Sequence, residues 1–313
     1  MSSIAEAAEF EAVRPHLLAV AYRLTGTIAD AEDMVQDAWL RLEGLGDRRR
    51  EIADLRAWLT TVVSRLSLDW LRSAAHRRES YFGSWLPEPV VLEFGADEPL
   101  AAVVAAEGAR YAAMVVLERL SPDQRVAFVL HDGFGVPFTE IAEVLDTTAT
   151  AARQLASRAR RAVAHAPAPP SDPRHDEAVG KLMAAIADGD LAAVVAQLHP
   201  EVRFTGDANR RAPTAAQIVV GPDKVARLLL GLARRYGPGF VTTQRLALVN
   251  GELGSFTAGQ SAESGFAPLS PRIAAMTVKD GKVWAVWDIA NPDKFGGSPL
   301  GATPRAPGTR PRS

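Results

Sequence analysis

The first half of the chain is dominated by apolar residues that recur at three- and four-residue intervals. This spacing places them on one face of an α-helix and predicts a series of amphipathic helices. They span residues 9–24, 27–42, 54–73, 100–120 and 124–131, and a further pair lies within residues 138–163. Thr27, with Asp30 three residues later, is a cap signal for the second helix, and Ser121-Pro122-Asp123 is a cap signal for the fifth. The first half is therefore predicted to be all-α.

The pair within residues 138–163 has the pattern of a helix-turn-helix. Residues 146–148 interrupt the apolar pattern with side chains that favour turns. One face of the second helix is apolar or small, and its neighbouring face carries Arg153, Gln154, Ser157, Arg158 and Arg161. No acidic residue between Thr147 and Ala166 neutralises these arginines, and a helix has the width of a DNA major groove. The pattern predicts a DNA-reading helix, although basic helices can also be solvated surfaces.

Two other helices carry charged faces. The helix at residues 27–42 has Asp30, Glu32, Asp33 and Asp37, which form either an acidic interface or an ordinary solvated surface. The helix at residues 54–73 and its end carry arginines interleaved with aromatic residues, namely Arg56, Arg65, Arg72, Arg77 and Arg78 with Trp58, Trp70 and Tyr81. Arginine neutralises phosphate and aromatic rings stack on unpaired bases, so this mixture predicts nucleic-acid contact. Core packing is the alternative for each aromatic ring, and helical spacing from Leu66 favours it for Trp70.

The pattern then changes at two linkers. The first is predicted at residues 81–107, because the stretch 81–99 contains three prolines and two glycines. Its apolar content, which includes Trp85 and Phe94, is too high for a free tether, so we expect it to dock on another part of the protein. The second linker is Pro-rich and spans residues 167–175. Domains are therefore expected at residues 9–80, 108–166 and 176–295.

The domain at residues 176–295 is predicted to be α+β. Helices are expected at residues 176–198 and 223–236, whereas residues 202–220 and 240–289 alternate polar and apolar side chains as strands do. Asp280-Gly281 is a two-residue hairpin signal. We expect a curved antiparallel sheet, followed by a disordered tail at residues 296–313 that is rich in Pro, Gly and Arg.

Composition narrows these interpretations. Hydrophobic residues make up 47% and charged residues 23% of the 313, as in soluble globular proteins. The formal net charge is −2, so nucleic-acid binding would depend on local arginine clusters rather than on the whole chain. The chain has no cysteine and six histidines without a metal-binding pattern, so we expect no disulfide, metal or cofactor. No export signal or membrane span is recognisable, which predicts a cytoplasmic protein without a membrane partner.

Several stretches together resemble a known family. LLAVAYRLTGTIADAEDMVQDAWLRL and LRAWLTTVVSRLSLDWLRSAAHRRE are similar to region two of an extracytoplasmic-function sigma factor of the sigma-70 family. LSPDQRVAFVLHDGFGVPFTEIAEVL and the basic helix after it are similar to region four. The domain at residues 176–295 resembles a SnoaL-like cone, of the ketosteroid-isomerase type. WLPEP at residues 85–89 and NPDKF at residues 291–295 resemble motifs of the subfamily that fuses these parts.

The resemblance implies a role for each charged face. Contact with the clamp helices of the RNA polymerase β′ subunit is implied for Asp30, Glu32, Asp33, Gln36 and Asp37. Contact with the −10 promoter element is implied for Arg56, Trp58, Arg65, Arg72, Arg77 and Arg78. Contact with the −35 element is implied for Arg153, Gln154, Ser157, Arg158 and Arg161. The expected function is that of a sigma factor, with promoter DNA and core polymerase as partners.

The resemblance also implies regulation in cis by the cone, without a separate anti-sigma factor. The expected interdomain residues are Trp85, Leu86, Pro87, Glu88, Pro89, Asp207, Asn291, Pro292, Asp293 and Lys294. The subfamily usually has a DGGGK-like motif in the cone, and this chain has Gly206-Asp207-Ala208-Asn209-Arg210 in that place. The departure weakens the expectation of a contact by that loop.

Two alternatives stay open at the level of sequence. A stand-alone helix-turn-helix regulator would bind a duplex operator without a polymerase-binding face. An enzyme built on the cone, with the first half as its control module, would use acid/base residues such as Asp207, Asp288 and His199, or the cone would bind an unknown small ligand. The sequence pattern does not place an acid and a base around one substrate. Because a fold does not by itself confer catalytic chemistry, we expect a non-enzyme.

Overall fold

The computed structural model describes residues 2–78, 81–95, 109–165, 168–262 and 265–301. For residues 2–6, 74–78 and 165 it describes the backbone alone. The N-terminal helical domain consists of α1 (Ser2–Thr25), α2 (Ile28–Glu43) and α3 (Leu55–Arg78), with a 3-10 turn at Gly46–Glu51. Thr27 caps α2 as predicted, because its hydroxyl accepts a hydrogen bond from the Asp30 backbone N–H at 3.3 Å.

The helix-turn-helix domain (residues 109–165) begins with α4 (Tyr111–Leu117) and α5 (Pro122–Phe128). The predicted start of its first helix, at residue 100, lies outside the described residues. A capping box at Ser121 and Gln124 opens α5, and a π-helical segment follows at Val129–Gly133. The predicted pair is present as α6 (Phe138–Val144) and α7 (Ala149–His165). The turn between them passes through Asp146, which adopts a φ of 50°.

The cone (residues 168–301) carries helices on one face of a curved sheet. Its helices are α8 (His175–Asp188), α9 (Leu191–Gln197), α10 (Pro222–Tyr236) and the short α11 (Gly239–Thr242). Its strands are β2 (Leu198–Asp207), β3 (Val219–Val220), β4 (Arg245–Val249), β5 (Glu252–Thr257), β6 (Arg272–Lys279) and β7 (Lys282–Ile289). The helix predicted at residues 176–198 is interrupted, because Gly189 is left-handed (φ 71°) and Asp190 caps a new helix.

The sheet was predicted to be antiparallel, but it is mixed. With β1 (Val91–Glu93) from the first linker included, the strand order is β1-β4-β5-β6-β7-β2-β3. Strand β2 runs parallel to β7, with Phe204 opposite Val286. The alternating pattern of a strand marks its buried face but not the direction of a neighbour that is distant in sequence. The β6–β7 hairpin at Asp280-Gly281 is confirmed, since both residues have positive φ, at 53° and 71°.

The first linker is part of this sheet. Val91–Glu93 form strand β1, which pairs antiparallel with β4, with Val91 opposite Val249. The expected docking of the linker therefore takes the form of strand addition at one edge of the cone. Residues 296–301 also differ from the predicted disordered tail: the Val91 backbone N–H donates to the Gly297 carbonyl at 2.7 Å, and Leu300 packs against a core cluster. The rest of the tail lies outside the described residues.

The two faces of the sheet have different neighbours. One face packs on α8 and α10 through a core that includes Leu182, Phe204, Leu229 and Val286. On the other face, Trp287 and its neighbours pack on Leu86 and Val91 of the linker and on Tyr111 of α4. The cone therefore contacts the helical domains through the side of its sheet that its own helices leave open.

Candidate functional site

The acidic side of α2 lies at the protein surface. Four of the predicted interface residues are exposed, namely Glu32, Asp33, Gln36 and Asp37. Asp30 is half-buried, and its carboxylate accepts a hydrogen bond from the Thr27 hydroxyl at the cap. Leu40 is 54% exposed and lies two turns after Asp33, so it adds an apolar contact surface to the same face.

The basic side of α3 is partly engaged by the helix-turn-helix domain. Arg65 Nη2 donates to the backbone carbonyl of Glu143 at 2.9 Å, and Arg72 Nη2 donates to Asp123 Oδ1 at 3.0 Å. Arg56 Nη2 instead lies 3.0 Å from His16 Nδ1. All three arginines are exposed, but two of them already contact the second domain.

The remaining predicted residues of α3 differ in their surroundings. Trp58 is half-buried and packs against the helical core, and so does Trp70, where core packing was favoured. The side chains of Arg77 and Arg78 lie outside the described residues. A groove of about 600 Å³ separates the two helical domains beside Trp58 and Arg65, and Glu140 and Glu143 of α6 form its opposite wall.

The basic face of α7 is at the surface. Arg153, Gln154, Arg158 and Arg161 are exposed, and Ser157 is half-buried. The opposite face packs through alanines at positions 152, 156 and 159, each of which is 0% exposed. The structure thus brings the five predicted −35 residues onto one accessible side of a single helix.

Buried contacts connect the two helical domains at the end nearest the linker. Arg125 is 1% exposed, and its guanidinium donates to Glu118 Oε1 at 2.8 Å and to the backbone carbonyl of Arg23 at 2.9 Å. Gly26 lies against this pair with a φ of 79°, and a Cβ there would approach Glu118 Oε1 to 2.8 Å. Glycine is therefore required where the chain turns from α1 into α2.

The WLPEP and NPDKF stretches meet at Asp207. This carboxylate is 1% exposed and accepts hydrogen bonds from the Leu86 backbone N–H (2.8 Å), Lys294 Nζ (2.6 Å) and the Tyr81 hydroxyl. Lys294 also donates to the Leu86 carbonyl and lies 3.7 Å from the centre of the Trp85 ring. A buried ion pair needs its remaining hydrogen-bonding groups satisfied, and here the linker provides the partners.

Glu88 connects the linker to the start of α2. Its side chain accepts the Ile28 backbone N–H at 2.8 Å and the Gly297 backbone N–H at 2.8 Å. Its backbone donates to the Gly26 carbonyl at 2.8 Å and accepts from the Tyr22 hydroxyl at 2.7 Å. Glu88 is 2% exposed, and this burial raises the pKa of its carboxyl above the ordinary value.

Asn250, in the β4–β5 turn, joins three parts of the chain. Its Oδ1 accepts the Val90 backbone N–H at 3.0 Å, while its Nδ2 donates to the Tyr22 hydroxyl at 2.9 Å and to the Ala109 carbonyl at 2.8 Å. One cone side chain therefore contacts the linker and both helical domains. Nearby, Arg110 Nε donates to Glu252 Oε1 at 2.8 Å.

The predicted interdomain residues are close together, with differing exposure. Seven of them are buried, namely Leu86, Pro87, Glu88, Pro89, Asp207, Asn291 and Lys294. Trp85 is half-buried, and Pro292 and Asp293 are exposed. Asn291 Nδ2 donates to the Tyr81 hydroxyl at 2.9 Å, which adds a second contact between NPDKF and the linker.

The turn after Asp207 makes its contact without glycine. Asn209 and Arg210 have φ values of 42° and 58°, in the left-handed region that favours glycine. Asn209 Oδ1 accepts the Phe82 backbone N–H at 3.3 Å, and the Arg210 guanidinium lies 3.8 Å from the centre of the Phe82 ring. The loop thus reaches the linker despite its departure from the motif.

The three acid/base candidates of the cone are not brought together. Asp207 lies opposite Ile289 and Asp288 opposite Gly206 in the β2–β7 pairing, so the two carboxylates are on opposite faces of the sheet. Asp288 is paired with Arg272 at 3.2 Å, and His199 Nε2 lies 3.9 Å from Asp280. Among the described residues, no group of three or more acidic or histidine side chains is placed to bind a metal ion.

Comparison with known proteins identifies the family. Residues 10–77 match sigma-70 region 2, and residues 111–163 match sigma-70 region 4. The ECF RNA polymerase sigma factor SigJ of Mycobacterium tuberculosis is 67% identical over 298 residues, which are 94% of this chain and 95% of the relative. The chain belongs to the ECF sigma factors.

A second relative and a solved structure of this sigma factor's family support the same assignment. The probable ECF RNA polymerase sigma factor SigI of Mycobacterium tuberculosis is 36% identical over 233 residues, covering 71% of this chain and 75% of the relative. The crystal structure of the M. tuberculosis extracytoplasmic function sigma factor SigJ superposes with a TM-score of 0.83 at 64% identity. It covers 94% of this chain and 99% of that one, which extends the likeness through the α+β domain.

Some interdomain residues of this sigma factor carried little signal in the sequence. The Asn250-Gly251 dipeptide, with φ values of 50° and 82°, is a hairpin signal, but nothing local indicates that Asn250 reaches Tyr22. Arg125 sits at helical spacing on α5 like a surface residue, yet it is buried.

None of the helices in the described ranges is both long enough and apolar enough to cross a membrane.

Proposed function

We propose that this chain binds core RNA polymerase through α2 and directs it to promoters through α3 and α7. The observation that carries the proposal is the pair of exposed, oppositely charged helical faces, acidic on α2 and basic on α7, in a member of the ECF sigma factors. Because RNA polymerase works in the cytoplasm, we expect the protein to act there.

The polymerase contact is assigned to Asp30, Glu32, Asp33, Gln36 and Asp37. An acidic face of this kind is complementary to a basic partner, and charge complementarity determines orientation and association rate. The expected partner is the pair of clamp helices of β′. Since four of these five residues are exposed, this surface is accessible in the described conformation.

Charge reversal tests the polymerase contact. The double change Asp33→Lys and Asp37→Lys should weaken holoenzyme formation by at least about a hundredfold, because favourable pairs become like-charge contacts. Affinity for fluorescently labelled core polymerase and run-off transcription are the measurements. The matched control, Glu11→Lys with Asp188→Lys, makes the same charge change at exposed sites elsewhere and should leave both unchanged. Unaltered holoenzyme formation by the Asp33 and Asp37 variant would refute the contact.

The DNA contacts are assigned to two helices. On α7, Arg153, Gln154, Ser157 and Arg158 should face base edges of the −35 element and Arg161 a phosphate; a good bidentate base contact discriminates by about 1–3 kcal/mol. On α3, arginines and Trp58 should bind the −10 element once it is opened. Stacking on an unpaired base contributes roughly 1–3 kcal/mol, so several trapped bases can offset local unpairing.

The described conformation is interpreted as closed. The −10 and −35 elements are about 25 base pairs apart, which is roughly 85 Å at 3.4 Å per base pair. Here α3 contacts α5 and α6 of the helix-turn-helix domain, so the two helical domains are packed against each other. We infer that the helical domains must separate before both promoter elements are bound.

Regulation in cis is assigned to the cone. Its contacts with the linker and both helical domains, through Asp207, Lys294, Asn250 and the tail at Gly297, favour the closed conformation. Whether the cone holds the linker then determines how far apart the two helical domains can move. This arrangement requires no separate anti-sigma factor.

Loosening one cone contact tests this regulation. Lys294→Met leaves the Asp207 carboxylate buried without its cation, which should weaken linker docking and raise run-off transcription severalfold at a fixed polymerase concentration. Lys181→Met, at an exposed lysine of α8, is the matched control and should not change the output. If the Lys294 variant folds and transcribes like the wild type, the cone contact is not regulatory.

The alternative of a stand-alone regulator predicts operator binding by the free protein, without polymerase. The exposed acidic face of α2 and the exposed arginines of α3 favour the sigma factor. A catalytic role is not assigned, because Asp207 and Asp288 are each paired with a cation and lie on opposite faces of the sheet.

A further inference from the structure

The outer side of α10 in the cone carries a cluster of basic residues. Between Ala208 and Gly251 the chain has seven arginines and lysines but a single acidic residue, Asp223. Four of the seven lie on α10 and are exposed, namely Lys224, Arg227, Arg234 and Arg235. With 3.6 residues per turn, these four fall within an arc of roughly 100° around the helix, and Gly231 lies near its centre. We call this arc the basic face of α10.

Helix stability explains only part of this pattern. Arg234 and Arg235 lie in the last turn of α10, where the helix dipole favours positive charge. Lys224 lies in the first turn, where the same dipole disfavours it. Among the described residues, no carboxylate forms an ion pair with any of the four basic side chains. Their charges are therefore available to a partner.

The basic face is turned away from the other domains. The buried side of α10, which includes Leu229 and Leu230, belongs to the core on the helix-covered side of the sheet. The linker and α4 pack on the opposite side of the sheet. Gly231 leaves the middle of the basic face open, because a Cβ built there would meet no neighbouring atom within 4 Å. The face is therefore accessible while the cone holds the linker.

The composition of the basic face favours a phosphate backbone as its partner. The exposed residues of α10 include no aromatic or aliphatic side chain. Protein interfaces depend on a desolvated apolar core, and a helix on a membrane inserts its apolar side, which here is buried in the cone. Phosphates require only positive charge. From Lys224 to Arg235 the face is roughly 16 Å long, about the rise of five base pairs.

We propose that the basic face of α10 binds the phosphate backbone of duplex DNA without regard to sequence. Side chains that contact phosphates supply affinity and orientation but carry no sequence information. The cone thus has a direct contact with DNA, in addition to the contacts assigned to α3 and α7. The proposal does not depend on the promoter function, because any duplex provides phosphates.

The salt dependence of DNA binding by the full-length protein tests the proposal. A fluorescently labelled duplex of arbitrary sequence is titrated by fluorescence anisotropy over a series of salt concentrations. Arg227→Gln with Arg234→Gln should reduce the slope of log affinity against log salt by about 1.8, since each lost phosphate contact removes about 0.9. Arg119→Gln with Lys282→Gln removes the same charge at exposed sites elsewhere and should leave the slope unchanged.

A single cysteine locates the contact. The chain has no cysteine of its own, so Gly231→Cys can be labelled alone with a benzophenone maleimide, and all four basic side chains are kept. On illumination the labelled Gly231 variant should crosslink to the duplex. Lys282→Cys, at the β6–β7 hairpin, carries the same label as a control and should crosslink weakly or not at all.

Three results would overturn the proposal. The first is an equal salt slope for the two double variants, and the second is crosslinking from position 282 as strong as from position 231. The third is a loss of affinity for labelled polyglutamate but not for the duplex in the Arg227 and Arg234 variant, which would assign the face to acidic proteins. Circular dichroism checks the fold of each variant. No polymerase is present, so these results are independent of the transcription tests.

Discussion

The contact between the N-terminal helical domain and the helix-turn-helix domain has two ends that differ in chemistry. At the linker end, Arg125 pairs with Glu118 of its own domain, with side chains 2% and 9% exposed, and donates across the contact to the Arg23 carbonyl at 2.9 Å. At the other end, Arg72 and Asp123 are 51% and 43% exposed, and Arg72 lies beside an open groove. Exposed pairs contribute about 0–1 kcal/mol, whereas a hydrogen bond to a charged group contributes about 1.5–3 kcal/mol. We infer that the contact opens at the Arg72–Asp123 end and hinges at the linker end.

The largest expected effect comes from the buried end. Arg125→Met should lower the free energy of unfolding by about 3–5 kcal/mol, because Glu118 and the Arg23 carbonyl lose their donor in a buried place. Urea unfolding measures the change. Arg119→Met, at an exposed position of the same domain, is the control and should cost less than about 0.5 kcal/mol. A loss below about 1 kcal/mol for Arg125 would mean that the two ends do not differ.

The exposed end should respond in binding rather than in stability. Asp123→Ala and Arg72→Ala break the same ion pair, and each should change the free energy of unfolding by less than about 1 kcal/mol. Their effects on DNA should be opposite. Removing Asp123 releases Arg72 for phosphate and should strengthen holoenzyme binding to a −10 fragment severalfold, whereas removing Arg72 should weaken it. Equal effects of the two variants on DNA affinity would contradict a competition between Asp123 and the promoter.

The smallest effect is a pH dependence confined to the linker end. The pKa of Glu88 is raised in the folded protein, so the ionised carboxylate costs folding free energy at neutral pH, and this cost disappears below the unfolded pKa. Compared with Glu88→Gln, the wild type should therefore gain relative stability as the pH falls from about 7 to about 4. Thermal unfolding of both proteins over this range measures the difference. If the stability difference between the two proteins stays constant, or changes in favour of the glutamine variant as the pH falls, the raised pKa of Glu88 is contradicted.

Sequence predicted what depends on local pattern. The Thr27 cap, the helix pair around Asp146 and the hairpin at Asp280-Gly281 all depend on residues within a few positions of one another. The family motifs also pointed to Asp207 and Lys294 as interdomain residues, and the structure places them 2.6 Å apart. The polymerase and promoter contacts of the exposed faces stay predictions.

Long-range partners could not be predicted in the same way. Asn250 reaches Tyr22 across 228 positions, and Arg65 reaches Glu143 across 78, so no local spacing encodes either contact. The parallel pairing of β2 with β7 is a third case, since a strand pattern is the same for both directions. The packing of the two helical domains against each other depends on contacts of this kind, so amphipathic patterns predicted each helix but not the parts of the chain that pack against it.

Because β1 pairs with β4, the linker strand is synthesised well before the strand that it pairs with. The linker strand at Val91–Glu93 leaves the ribosome roughly 150 residues before its partner at Arg245–Val249. The second helical domain ends at His165, about 80 residues before that partner strand begins. At about 5–20 residues per second, both helical domains are therefore complete for roughly 4–16 s before the strand that fixes the linker exists. A newly made chain thus passes through an interval in which its helical domains are tethered but not yet held by the cone, and polymerase that meets it then encounters an unrestrained molecule.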